Sequence, residues 1–244
     1  MPWGARVSNA STGSVQIDNS YRNLGLLSKF TITTNAAGYS GIGRVATFLV
    51  SMPDDEAPVV GFSCSDDFAF FDGVTRSGND WTFRIGVGGT SGYPDRTFTI
   101  YVFGRPQGSV APGWGMRVRD ASGRVTFDSR FKYMKVHSVL TGSYGTANPP
   151  GAFNGAPYGD GNLPSLTMTA GRSYCVLCSR TAHYVWNEGT GQGWEAYCLG
   201  VKIAGSALST ANLYKDGGFG ANYITTAFID RRDYNLVVLD VTNL

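Results

Sequence analysis

The opening of the chain recurs near its middle, and this repeat is the strongest constraint that the sequence places on the fold. The first copy begins at Trp3 and reads "WGARVSNASTGSVQIDNSYR"; the second begins at Trp114 and reads "WGMRVRDASGRVTFDSRFK". The copies are offset by 111 residues before the turn and 110 after it, because Thr12 is one extra turn residue. A β-hairpin tolerates such an insertion at its turn. The repeat therefore predicts two related β-hairpins.

The second copy has the pattern of a strand, a turn and a strand. Its turn, "DASG", supplies a turn-forming aspartate and a glycine, Gly123, for a left-handed backbone position. Alternation on both sides of the turn predicts one common inner face, formed by Met116, Val118, Val125 and Phe127.

The rest of the chain is also typical of β-structure. Short runs of β-branched and aromatic residues alternate with polar residues and are separated by Gly, Asp, Asn or Pro, in residues 29–36, 80–87, 96–103, 165–171 and 234–241. One segment, 205–216, is compatible with a short turn or helix. The sequence predicts an all-β fold of sandwich-like units.

The repeat also predicts where the units lie. Because each hairpin is followed by its own series of strands, we expect two tandem, related β-sandwich-like domains, at 1–106 and 113–244. The joint between them is rich in Gly and Pro. The second unit carries a long Gly/Pro-rich loop, 141–165, without periodicity. The alternative is a single domain in which the two hairpins are the symmetric halves of one sandwich.

Charge and hydropathy exclude several classes of function. The chain has 20 Lys and Arg against 18 Asp and Glu, a net charge of +2, so no bulk field directs it to nucleic acid. No apolar run is long enough for a membrane span, and no secretory signal is visible. These features predict synthesis in a cytoplasm, with no nucleic-acid partner.

The phrase "WGMRVRDASGRVTFDSR" resembles one that opens small β-rich virion and tail proteins of tailed bacteriophages. The resemblance covers about twenty residues in each copy, and the first copy departs from it at Asn9 and Ile17. It implies a structural component of a baseplate, tail tip or tail fibre, made in the host cytoplasm and located in the virion. Other phage tail proteins would be its partners, its N-terminal unit would attach to the virion, and a homo-oligomer, with a trimer favoured, would be its state.

Catalytic signatures are missing from the sequence. It contains no nucleophile elbow, H-E-x-x-H, P-loop or dinucleotide fingerprint. The acidic runs at 54–56 and 66–67 are interpreted as solvated charge rather than as calcium ligands or glycosidase carboxylates. The sequence therefore predicts a protein that is not an enzyme and has no cofactor.

One set of residues has spacing that a metal site would use, namely Cys175, Cys178, His183 and Cys198. The surrounding "YCVLCSRTAHYVW" is typical of an apolar strand, on which Cys175 and Cys178 would point to opposite faces. Buried thiols are the favoured interpretation, and these four residues remain weak metal candidates.

Aromatic residues in Gly-rich segments of the second half suggest a binding surface. Tyrosine and tryptophan combine apolar area with a polar group, which suits sugar or protein recognition. The candidates for binding a host surface receptor or glycan are Tyr144, Phe153, Tyr158, Trp186, Trp194 and Tyr197. This receptor- or carbohydrate-binding module is the alternative to a purely structural function.

Overall fold

The computed structural model of the chain is built from β-strands. It describes residues 7–8, 15–17, 23–37, 43–53, 56–88, 93–106, 114–143, 163–180, 182–187, 194–218 and 233–244. The strands are β1 (Val7–Ser8), β2 (Val15–Ile17), β3 (Gly25–Thr33), β4 (Ala36–Ala37), β5 (Arg44–Ser51), β6 (Val59–Ser63), β7 (Ala69–Ser77), β8 (Asp80–Val87), β9 (Thr97–Gly104), β10 (Arg117–Arg119), β11 (Val125–Asp128), β12 (Val136–Ser143), β13 (Leu166–Thr167), β14 (Tyr174–Arg180), β15 (His183–Asn187), β16 (Trp194–Ala204), β17 (Ala207–Gly218) and β18 (Asp233–Asp240).

Two large antiparallel sheets contain most of these strands. The six-stranded sheet has the order β12-β18-β14-β6-β9-β3, and the eight-stranded sheet has the order β13-β17-β16-β7-β8-β5-β4, with β15 added beside β16. The hairpins β1-β2 and β10-β11 are separate two-stranded sheets. The all-β, sandwich-like fold predicted from the sequence is confirmed.

Of the short turn or helix expected at 205–216, a turn is present at Gly205 and Ser206, and the helix is wrong. Apart from this turn, the segment belongs to β17, which pairs with β16 from Ala204↔Ala207 to Trp194↔Gly218, with one register shift between Ala196 and Tyr197. Gly205 makes the tight turn between the two strands with a φ of 59°. Pairing with a long neighbouring strand outweighs the weak local preference of this segment, as tertiary context commonly does. The strand expected at 165–171 is shorter than predicted, covering Leu166–Thr167.

Both halves of the chain follow one plan. Counted from its two edges inward, the six-stranded sheet contains β3, β9 and β6 from the first half and β12, β18 and β14 from the second half. The strands of the two halves therefore occupy equivalent places. Register shifts in the strand pairing also recur 110 residues apart, which is the offset of the sequence repeat after its turn. The one between Leu26 and Ser28 in β3 has its counterpart between Val136 and Ser138 in β12. The structural repeat therefore extends well beyond the twenty residues in which the sequence shows it.

The two hairpins also share their pairing. Val7 pairs with Ile17 in the first, and Val118 pairs with Phe127 in the second, which are the positions that the sequence repeat aligns. A register shift follows Val7 in one hairpin and Val118 in the other. The predicted pair of related hairpins is thus present, with the same irregularity in each.

The two halves are joined edge to edge. Strand β6 of the first half pairs antiparallel with β14 of the second through Phe62↔Val176, and β7 pairs with β16 through Ala69↔Val201. Both sheets consequently run through the whole molecule. The expected boundary between 1–106 and 113–244 separates two units of related plan, but it does not separate two sheets or two cores.

One core cluster lies between the sheets and draws residues from both halves. Its largest fully buried members include Phe62, Phe98, Ile85, Leu199 and Leu236. In this cluster the Phe62 ring lies 5.3 Å from that of Phe71 and 6.4 Å from that of Phe98. Because the cluster crosses the joint between the halves, their apolar burial is shared.

Candidate interaction site

The second hairpin is attached where the chain enters the first long strand of each half. The backbone amide of Leu26 donates to the carbonyl of Lys132 at 2.7 Å, and that of Met134 donates to the carbonyl of Leu24 at 2.9 Å. Residues 24–26 lead into β3, and residues 132–134 lead towards β12. These cross-connections fix the base of the hairpin β10-β11 to the first half of the molecule.

A buried aspartate holds the hairpin together. The side chain of Asp128 is 0% exposed and accepts hydrogen bonds from Arg117 Nε at 2.6 Å and from Arg130 Nε at 2.9 Å. Arg130 Nη2 adds a second contact at 2.6 Å, which makes that pair bidentate. The hydroxyl of Tyr133 accepts from the Asp128 amide and donates to the Asp128 carbonyl. Residues on both sides of the turn are therefore tied to one carboxylate.

Electrostatics keep this carboxylate ionised. Hydrogen bonds from Arg130, more than those from Arg117, hold the pKa of Asp128 well below its usual range. Loss of water contacts acts in the opposite direction and is outweighed. Asp128 is consequently negative throughout the neutral and mildly acidic range.

The turn of the same hairpin has the geometry that the sequence predicts. Gly123 has a φ of 79°, in the left-handed region that favours glycine. The Asp120 carboxylate accepts from the amides of Ser122 and Arg124, each at 2.9 Å. Backbone and side-chain hydrogen bonds from Arg124 lower the pKa of Asp120. Both ends of β10 and β11 are thus fixed by a charged aspartate.

The predicted inner face of the hairpin is partly wrong. Val118 is buried, but Met116 is 44% exposed, and the buried residues of β11 are Thr126 and Asp128. The register shift after Val118 disturbs the alternation on which the prediction relied. Asp128 tolerates burial because two guanidinium groups pair with it.

Apolar side chains project from this fixed frame into solvent. Trp114 is fully exposed and Met116 is 44% exposed. The backbone beside them is ordered by reciprocal 2.9 Å hydrogen bonds, from the Met116 amide to Ser129 Oγ and from the Ser129 amide to the Met116 carbonyl. An exposed tryptophan on an anchored hairpin is a favourable contact for a protein partner, since tryptophan is enriched at interface hot spots. The equivalent Trp3 lies outside the described residues.

The aromatic residues predicted to bind a receptor have different positions. Trp186 and Trp194 lie on adjacent rungs of the β15-β16 ladder, where they pair with Glu195 and Asn187. Tyr197 is 5% exposed, so this candidate is wrong as a surface contact: the strand that carries it turns the side chain into the protein. The remaining candidates, Tyr144, Phe153 and Tyr158, and most of the predicted 141–165 loop, lie outside the described residues.

The candidate metal ligands are not brought together as a set. Cys175 is buried among Tyr101, Phe103 and other apolar residues on the six-stranded sheet, whereas Cys198 is buried in a separate cluster on the eight-stranded sheet. Burial raises the pKa of the Cys175 thiol, which opposes the thiolate form that binds metal. For Cys178 and His183, the structure describes the strand backbone alone. No group of three or more metal-ligating side chains occurs among the residues that the structure describes.

A polar network that the sequence does not reveal lies at one end of the sandwich. Asp67, interpreted from sequence as solvated charge, is 13% exposed and accepts from Tyr93 Oη at 2.6 Å and from Arg96 Nε at 2.9 Å. Burial and the Asp67 carboxylate raise the pKa of Tyr93 to about 12. No local pattern connects residues 26 and 29 positions apart. These hydrogen bonds connect the loop before β7 to the segment that precedes β9.

Comparisons with known proteins leave the family open: no family model, curated protein or solved structure matches the chain. The described part of the chain also contains no helix long and apolar enough to cross a membrane. A proposal for the function therefore rests on the geometry of the site and on the sequence.

Proposed function

We propose that this protein is a structural component of a bacteriophage tail, in the baseplate, tail tip or fibre, that acts by protein–protein contacts. The observation that carries the proposal is the fully exposed Trp114 on a hairpin anchored by the Asp128 ion pairs. The sequence around Trp114 is also the part of the chain that resembles phage tail proteins.

The contact chemistry supports association with a protein. A solvated indole gains free energy when it enters an apolar pocket on a partner, at about 25 cal/mol per Å² of apolar surface removed from water. Because the hairpin is already ordered by backbone and charged hydrogen bonds, little conformational entropy is lost when Trp114 docks. Trp114 and Met116 would together form the contact with a neighbouring tail protein.

The other parts of the proposal follow from the resemblance. The chain would be made in the host cytoplasm and incorporated into the virion, with other tail proteins as partners. A homo-oligomer is expected because virion parts are symmetric assemblies, and a trimer is the state that the resemblance favours. Host attachment would be an activity of the assembled tail.

The experiment places Trp114→Ala in the phage genome and measures the copy number of this chain in purified particles by quantitative mass spectrometry. We expect the wild-type chain in particles and at least a tenfold loss of incorporation for the variant. The matched control is Leu49→Ala, because Leu49 is also an exposed apolar residue, 58% exposed, and it lies on a different element, strand β5. Antibody labelling in electron micrographs would locate the chain in the tail.

Two outcomes distinguish the parts of this proposal. Absence of the wild-type chain from particles would overturn the tail function itself. Normal incorporation of Trp114→Ala beside a particle-associated wild-type chain would reject the Trp114 contact and leave the tail function standing.

A receptor- or carbohydrate-binding module is the second candidate function. The observation that favours it is the extension of the eight-stranded sheet by β15, an added strand that carries Trp186 and pairs with the segment of β16 that carries Trp194. Replacing both tryptophans with alanine should reduce adsorption to host cells by at least tenfold while leaving particle assembly intact. Adsorption assays with equal numbers of particles measure the effect, and unchanged adsorption would contradict the candidate.

A further inference from the structure

The six-stranded sheet ends in two equivalent strands with different chemistry. Strands β3 and β12 occupy its two edges and correspond in the structural repeat. Lys29 of β3 pairs with Tyr101, and Val139 of β12, which lies 110 residues later, pairs with Val237 in the equivalent position. One edge therefore carries a cation where the other carries an exposed aliphatic side chain.

Lys29 protects the edge formed by β3. Its Nζ donates to the carbonyl of Leu244 at 3.2 Å and lies 5.2 Å from the centre of the Tyr101 ring. A lysine on an edge strand opposes pairing with another strand, because pairing would remove water from its charge. Edge β3 thus has one of the usual safeguards against sheet extension.

Strand β12 does not have this safeguard. Its sequence, "VHSVLTGS", contains no charged residue and no proline. Val136 is 54% exposed and Val139 is 53% exposed. Within the described residues, β12 forms a ladder with β18 alone, and its register shift is confined to the first positions. An exposed, uncharged edge of this length is a ready template for another strand.

The molecule already extends its sheets by this kind of pairing. Its halves join where β6 meets β14, two corresponding strands that run antiparallel through Phe62↔Val176. Corresponding strands of related units are therefore compatible neighbours in this fold. In a second copy, β12 is again an edge strand that pairs only with β18 among the described residues, and it lacks the lysine that protects the corresponding strand β3.

We propose that β12 pairs antiparallel with β12 of a second copy across a two-fold axis, which continues the six-stranded sheet into a twelve-stranded sheet. Backbone hydrogen bonds along the edge supply affinity, and burial of Val136 and Val139 in both copies adds apolar contact. Such an interface is isologous and closes as a dimer. The interaction does not depend on the Trp114 contact or on a tail location, and it assigns a two-fold state in place of the trimer that the resemblance favours.

The test places on β12 the lysine that protects β3. Val139→Lys introduces the residue found at the equivalent Lys29, and the full chain is compared with wild type by light scattering coupled to size-exclusion chromatography. We expect a wild-type dimer at micromolar concentration and at least a tenfold weaker dimer for Val139→Lys. The matched control is Thr31→Lys, an exposed position on β3 that corresponds to Thr141 of β12.

Hydrogen exchange provides a second measurement that does not depend on the variant. Amides in residues 138–141 should become more protected as the wild-type concentration rises through the dimerisation range, and those of β3 should not. Circular dichroism and thermal melting check that Val139→Lys is folded. A wild-type monomer, a wild-type trimer, or a folded Val139→Lys that dimerises like wild type would each overturn the proposal.

Discussion

Replacing Phe62 with alanine is expected to lower the free energy of unfolding of the whole molecule by about 3–5 kcal/mol. Phe62 is 1% exposed and lies in the core cluster, with its ring 5.3 Å from that of Phe71. Truncation removes the transfer free energy of the ring and leaves a cavity that the surrounding strands fill incompletely. Because most small-domain stabilities are about 5–15 kcal/mol, this loss is a large fraction of the total.

The location of Phe62 makes the substitution a test of how the halves are coupled. Phe62 pairs with Val176 across the joint, so damage at this position weakens both units. We expect a single cooperative urea transition, seen identically by far-ultraviolet circular dichroism and by tryptophan fluorescence, with its midpoint shifted to lower urea concentration. Leu49→Ala, at an exposed position, is the control and should change the midpoint little. Two separated transitions, with the second half unaffected, would show that the halves unfold independently.

Replacing Asp128 with asparagine is expected to destabilise the second hairpin by about 2 kcal/mol, the typical value for charged hydrogen bonds. The substitution removes the negative charge that pairs with Arg117 and Arg130. The hairpin lies at the periphery of the fold, where solvent screens part of this cost. Native-state hydrogen exchange of the β10 and β11 amides at pH 7 measures the loss.

The effect of Asp128→Asn should depend on pH in a defined direction. The pKa of Asp128 is lower in the folded protein than its unfolded value of about 3.9. The stabilising contribution is therefore complete above about pH 4 and is lost as pH falls through the folded pKa. Urea unfolding between pH 7 and pH 2 should show the wild type and the variant converging only in acid.

A matched control separates this ion pair from a general carboxylate effect. Asp80→Asn changes an exposed aspartate whose side chain accepts a hydrogen bond from the Ser51 hydroxyl. This control should leave the exchange of the β10 and β11 amides unchanged. An equal loss of hairpin protection in both variants, or a loss for Asp128→Asn that persists undiminished at pH 2, would contradict the assigned ion pair.

Local structure could be predicted from the sequence, but the partners of each strand could not. The alternation in residues 80–87 matches β8, and the repeated phrase predicts both hairpins and Gly123 in the turn of the second, but not the register shift after Val118. The pairing of Phe62 with Val176 joins residues 114 positions apart. Nothing in the period-2 pattern of a strand specifies which distant edge will lie beside it, because the pattern encodes the buried face and not the neighbour.

The candidate site shows the same division. The glycine-rich sequence near Tyr197 predicted a binding residue, but Tyr197 lies within the long strand β16 and its side chain is buried. Trp114 lies within the repeated phrase, but its complete exposure depends on the tertiary position of the hairpin and not on its neighbours in sequence. Asp128 has one neighbouring arginine in sequence, Arg130, whereas Arg117 reaches the carboxylate only because the hairpin folds back, and the alternation of apolar residues does not reveal either contact.

The edge-to-edge joint between the halves has a consequence for how the chain reaches its native state. Before they meet, each half exposes a long internal edge, β6 and β7 in one and β14 and β16 in the other. Exposed strands of this kind capture other chains as readily as their own partner. Because both halves belong to one polypeptide, each half has its correct partner at a raised effective concentration, which favours pairing within the chain over pairing with other chains. Duplication within one polypeptide thereby acts as a safeguard against aggregation.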